Sequence, residues 1–163
     1  MFTTKNYMNT FLTSLDNHTE VLTNKLKEIQ TYQFSPTIDL IDFVVFMDQS
    51  TFSIRMFSMD RDNNEVFKEE GSPLFAGSEE IISDVECSYI SDKQLDDFYS
   101  FYEQNEEELV PKEEKAIAEW FQNCWKDVGF DTLELPSYFV FHDAFQSFDL
   151  TAWKWMEEEE KWS

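Results

Sequence analysis

Glycine, cysteine and arginine are scarce in this chain, and each shortage closes off a class of chemistry. Gly71, Gly77 and Gly129 are the only glycines among 163 residues. They are too few and too widely spaced for a phosphate-cradling loop, a dinucleotide fingerprint or a nucleophile elbow, all of which need glycines at short fixed offsets. Two cysteines, Cys87 and Cys124, form neither a disulfide framework nor a zinc-ligand set, and a reduced, cytoplasmic setting is the expectation. The two arginines, Arg55 and Arg61, belong to only 12 basic residues against 34 acids, a formal charge of −22. A surface so negative repels phosphate, so direct contact with nucleic acid or an anionic membrane is not expected. The longest purely apolar run, Phe43 to Met47, falls far short of the ~20 residues that span a bilayer. Residues Met1 to Met8 carry no basic segment ahead of an apolar core, so no secretory signal is expected.

What is present is apolar and aromatic. Hydrophobic residues make up 42% of the chain and aromatics 17%, including 17 Phe, 6 Tyr and 5 Trp. That is enough to build a core without a metal or disulfide. One acidic domain over residues 1–163 is expected, with a candidate loop boundary at 69–80, where two of the three glycines fall. The charge is unevenly placed. Residues 1–33 hold Lys5, Lys25 and Lys27 against Asp16, Glu20 and Glu28, so the whole negative excess lies beyond residue 33.

The hydrophobic periodicity predicts an α+β chain. Phe11, Leu15, Leu22, Leu26 and Ile29 recur near a 3.6-residue period, which predicts one amphipathic N-terminal helix over residues 5–32, with His18 on or near its apolar stripe. Thr37 to Met47, Phe52 to Met59 and Glu65 to Lys68 read as an antiparallel β meander, joined by polar turns. Ile81 to Ile90 leans toward a further strand or irregular chain. Ser91 opens a capping-box pattern with Gln94. Leu95, Phe98, Tyr102 and Leu109 then mark one helix. Pro111 starts another that runs to Val128, with Glu113 and Glu114 near its positive end and Gly129 as its stop. These two helices are expected to form a helical hairpin. Tyr138 to Phe141 reads as a buried late strand. Asp149 caps an expected C-terminal helix holding Leu150, Trp153 and Met156.

Candidate chemistry is sparse. Asp60, Asp62 and Asn64 match the opening of a calcium loop, but Glu65 replaces the required glycine and Gly71 the closing acid, so a polar turn is the better reading. His142 beside Asp143 could serve as a general base, although neighbours in a strand face opposite ways and another carboxylate would have to orient the ring. His18 reads as a packing residue. Cys124, on an apolar face of an acidic chain, has the wrong surroundings for a thiolate nucleophile. No metal or cofactor is expected.

The densest feature is C-terminal. Trp153, Trp155 and Trp162 are interleaved with Glu157, Glu158, Glu159 and Glu160, and a second acidic run, Glu106, Glu107 and Glu108, lies upstream. Rings ringed by carboxylates suit an anchor-and-steering surface for a basic protein. In composition the chain is similar to bacterial toxin-immunity proteins and antitoxins: short, acidic, aromatic-rich and without a catalytic motif. That resemblance implies a non-enzymatic protein that neutralises a basic partner, most plausibly a nuclease toxin. The resemblance assigns no residues; the acidic runs and rings themselves point to Glu106 to Glu108, Trp153, Trp155 and Glu157 to Glu160 as the partner-binding set. Three alternatives stay open: a DNA mimic that inhibits DNA-binding enzymes, a hydrolase using His142 with a carboxylate, and a structural or adaptor module with no inhibitory role.

Overall fold

The computed structural model describes residues 2–87, 90–129 and 134–162. Ser88 and Tyr89, within the stretch predicted as Ile81 to Ile90, lie outside the described residues, as does Met1. The class is α+β. Six strands form one mixed sheet: β1 (Leu40–Asp48), β2 (Thr51–Met59), β3 (Ser78–Glu86), β4 (Ser137–Phe141), β5 (Gln146–Asp149) and β6 (Lys154–Glu157). Their order is β3-β2-β1-β4-β5-β6. All neighbours pair antiparallel except β1 and β4, which run parallel with Ile41 beside Ser137 and Val45 beside Phe141.

Three helices, α1 (Thr4–Asn17), α2 (Thr19–Ile29) and α3 (Leu95–Val128), accompany the sheet. Period-two alternation aims Ile41, Phe43 and Val45 of β1 and Phe52, Ile54 and Met56 of β2 at the helices, and all six are buried. Phe121 of α3 is the central contact: its ring centroid lies 5.3 Å from that of Phe43 and 4.8 Å from that of Phe139. It therefore bridges the two strands on either side of the parallel seam. Every residue of β4 is buried, as expected for a strand covered on both faces.

The first predicted helix is two helices. His18 leaves helical geometry at φ −103° and ψ 3°, and its ring nitrogen Nδ1 contacts the Ser14 carbonyl at 2.7 Å. The next residue, Thr19, accepts the indole N–H of Trp120 at 3.0 Å, which pins the break to α3. The predicted stripe is nevertheless correct: Phe11, Leu15, Leu22, Leu26 and Ile29 are all buried.

The expected helical hairpin is instead one continuous 34-residue helix, α3, with Pro111 inside it. Proline removes one intrahelical bond, here to the Glu107 carbonyl. Both residues are exposed, so water can take the freed carbonyl, and no turn residue beside Pro111 offers another path. Glu113 and Glu114 therefore do not sit at a helix start. The stop at Gly129 is as predicted: it adopts φ 71°, and its N–H reaches the carbonyls of Lys126 and Trp125.

The expected C-terminal helix is instead the β5–β6 hairpin, followed by a 3-10 turn at Glu158–Trp162. Asp149 does use its side chain as a cap, but for the hairpin turn: its Oδ1 accepts the N–H groups of Thr151 and Ala152. Glu65 to Lys68 is not a strand. Glu65 makes an isolated bridge to Met59, and the third strand beside β2 is β3, which begins inside the candidate boundary at 69–80. The turn after β2 is built around Asp60, whose Oδ1 accepts the N–H groups of Asp62 and Asn64. The carboxylate that would open a calcium loop is thus used to hold the turn.

Candidate functional site

The predicted C-terminal aromatics meet around one ring. Trp153 adopts φ 59° in the β5–β6 turn, and Trp155 pairs with Phe148 in the ladder. Both indoles stand edge-on to Phe148, with centroids at 5.2 Å and 5.4 Å. A helix would have put them 200° apart; here the left-handed turn conformation of Trp153 and the strand position of Trp155 bring both indoles to Phe148. They remain 43% and 45% exposed.

Trp155 and Glu157 line a groove of about 870 Å³ between the hairpin and α3. From α3 come Pro111, Glu114, Lys115, Ala118, Glu119 and Gln122, which recur at helical spacing and so share one face. From the sheet side come Phe141 and Phe145, the latter 84% exposed. Glu114, Glu119 and Glu157 make its rim acidic, with Lys115 as the one basic lining residue among the described residues. Partial burial pushes the Glu114 carboxyl above its ordinary range. The Glu157 carboxylate is oriented by the Gln146 amide at 3.2 Å. Glu107 precedes Pro111 by one helical turn, so it stands on the groove-facing stripe.

The other predicted residues divide. Glu106 and Glu107 are exposed on α3. Glu108 pairs with Lys112 at 2.9 Å. Glu158 faces inward: it accepts the Ser147 hydroxyl and pairs with Lys161 at 2.8 Å. Lys161 in turn meets Asp42 of β1 at 2.9 Å and lies 5.3 Å from the centre of the Tyr138 ring. Glu158 is therefore part of a latch over the sheet face opposite the helices. Glu159 is exposed, and Glu160 is exposed beside a smaller cavity with Arg61 and Trp162. The two predicted acidic runs do not form one patch. Glu157 belongs to the groove, Glu107 to its approach, and Glu158, half-buried, to the latch on the other sheet face.

His142 and Asp143 do meet, at 3.4 Å, contrary to the strand-neighbour expectation. Asp143 adopts φ 65°, which swings its side chain back to the imidazole. The ring packs on Phe46 with centroids 4.8 Å apart. Both polar groups are exposed, and neither lines the groove. Burial pushes the Cys124 thiol up to about 11 and the Cys87 thiol up to about 12, the latter also through the nearby Glu113 charge.

Sequence reasoning missed the α3 side of the groove and a buried polar cluster. Glu113 accepts the hydroxyls of Tyr7, at 2.8 Å, and Tyr102, at 2.6 Å. Burial raises its pKa, against the lowering effect of these two bonds. The available signal was positional: Glu113 falls midway between the buried Leu109 and Ile117 on one stripe. No family model matches the chain, and neither does any curated protein or solved structure.

Proposed function

We propose that the chain is an acidic binding protein that neutralises a basic partner, in the manner of an immunity protein or antitoxin inhibiting a nuclease toxin. The observation that carries this reading is the groove between α3 and β6, where the exposed rings of Phe145 and Trp155 and the buried ring of Phe141 have a carboxylate rim. Rings supply desolvated contact area, and carboxylates select and orient a cationic surface. A nuclease cleft is cationic because it must hold phosphate, so a rigid negative rim is complementary to it. The −22 charge supplies long-range steering.

The test is capture from the cells that encode the chain, followed by a nuclease assay on the captured protein with and without added chain. The expected result is a basic protein whose nuclease activity falls on addition and whose association slows steeply with salt. Capture that is independent of salt, or a captured protein whose activity is untouched, overturns the reading.

A further inference from the structure

β6 ends the strand order, so among the described residues one of its edges is unpaired. The register fixes which backbone groups that edge presents. Ser147 lies opposite Met156 and Asp149 opposite Lys154, and the Glu158 N–H donates to the Phe145 carbonyl at 2.8 Å. Bonded and non-bonded pairs alternate in an antiparallel ladder. Lys154, Met156 and Glu158 therefore turn their backbone groups toward β5, and Trp155 and Glu157 turn theirs outward. The β4–β5 ladder gives the same phase independently. The Leu150 N–H donates to the Ser137 carbonyl at 3.0 Å, which directs Phe148 to β4 and leaves Ser147 and Asp149 for β6. The residues with outward backbone groups are the same two whose side chains line the groove.

We infer that β6 is a docking edge for an extended basic segment of the partner, which joins the sheet as an additional strand. This deepens the function proposed above and rests on it. An added strand would run about 4.8 Å from β6. Its residues opposite Trp155 and Glu157 would share their face and enter the open side of the groove. Arg, or an apolar side chain, suits the place beside the Trp155 indole. Lys or Arg suits the place beside Glu157, with Glu114 and Glu119 across the groove. A helical occupant would leave the outward N–H and C=O groups of Trp155 and Glu157 unmatched. A second copy of the chain would bring another −22 charge to the same edge, which opposes self-pairing. β6 is only four residues long and carries Lys154 and Glu157, features that guard an edge against indiscriminate pairing.

The probe is a synthetic ten-residue peptide of alternating Lys and Val with one central Phe, added to the intact protein. Amide hydrogen exchange is read residue by residue. Binding is expected to slow exchange at Trp155 and Glu157 by about tenfold or more and to leave Met156, already bonded to β5, unchanged. The same peptide with its backbone nitrogens methylated is expected to bind at least about tenfold more weakly. If the peptide perturbs the Trp155 indole while exchange at Trp155 and Glu157 is unaffected, strand addition is overturned and charge-driven capture in the groove stands. If no peptide binds at low salt, the docking edge is overturned along with the groove; the nuclease assay then decides separately whether the chain inhibits through another face.

Discussion

Lys161 and Asp42, 119 positions apart, meet at 2.9 Å on the sheet face away from the helices. The lysine side chain is 0% exposed there. Removing one member of a buried pair leaves an uncompensated charge, so Lys161→Met is expected to cost about 3 kcal/mol or more in urea unfolding. The double variant Lys161→Met with Asp42→Asn removes the buried pair, leaves Glu158 to the solvent on its exposed side and is expected to recover most of that loss. Equal costs in the single and double variants would show that packing, not charge pairing, holds the latch.

Stability is expected to rise as pH falls from neutrality toward the ordinary carboxylate range, opposite to ordinary acid unfolding. Burial raises the carboxyls of Asp42, Glu113 and Glu114. A raised folded-state pKa means that the folded protein binds more protons than the unfolded chain between the two values. The stabilising contribution is then full below the unfolded pKa and lost as pH rises through the folded one. Relief of self-repulsion at −22 acts in the same direction. Thermal unfolding across this range checks the sign. Glu113→Gln should shallow the slope. Glu113→Ala should cost about 3 kcal/mol by orphaning the two buried tyrosine hydroxyls.

Charge reversal should separate the groove rim from the acidic run upstream of it. Glu114→Lys with Glu157→Lys changes the groove rim and is expected to slow association with a basic partner by about tenfold at low salt. Reversal at Glu106 with Glu108, which lie off the groove, is expected to have a smaller effect. Trp155→Ala should weaken binding more than Trp153→Ala, because only Trp155 lines the groove. Stopped-flow association at two salt concentrations is the measurement.

Pro111→Ala restores a helix N–H opposite the exposed Glu107 carbonyl. It should stabilise the chain by about 2 kcal/mol. Because Pro111 also lines the groove, the same change is expected to alter partner affinity. A variant less stable than the parent would show that the proline is needed for α3 to fit the sheet.

The sequence made the core strands and helix stripes readable because burial imposes a period. Phe52, Ile54 and Met56 alternate, and Leu22, Leu26 and Ile29 follow a helical repeat; both sets are buried as the pattern requires. It misled where local signals have two meanings. Pro111 starts many helices, but here it lies on the exposed side of one. Asp149 is a helix cap by type, yet the same carboxylate serves a hairpin turn. The Trp153–Trp155 spacing, awkward in a helix, is a turn residue followed by a strand residue. Trp155 and Glu157 were identifiable as surface candidates from composition. Their opposite wall, Glu114 to Gln122, was not, because it depends on how α3 lies against a hairpin that local signals mistook for a helix.

The parallel pairing of β1 with β4 divides the sheet into two antiparallel units, each formed by hairpin-like local contacts. They are joined by a five-residue seam, by Phe121 above it and by the Asp42–Lys161 pair below it. Separation along this line would detach β4, β5 and β6 while β1, β2 and β3 stayed assembled. Both walls of the groove depend on that junction, so the proposed recognition would be lost well before the molecule had globally unfolded. Damage to the latch would then appear first as a fall in binding competence, with spectroscopic secondary structure largely intact.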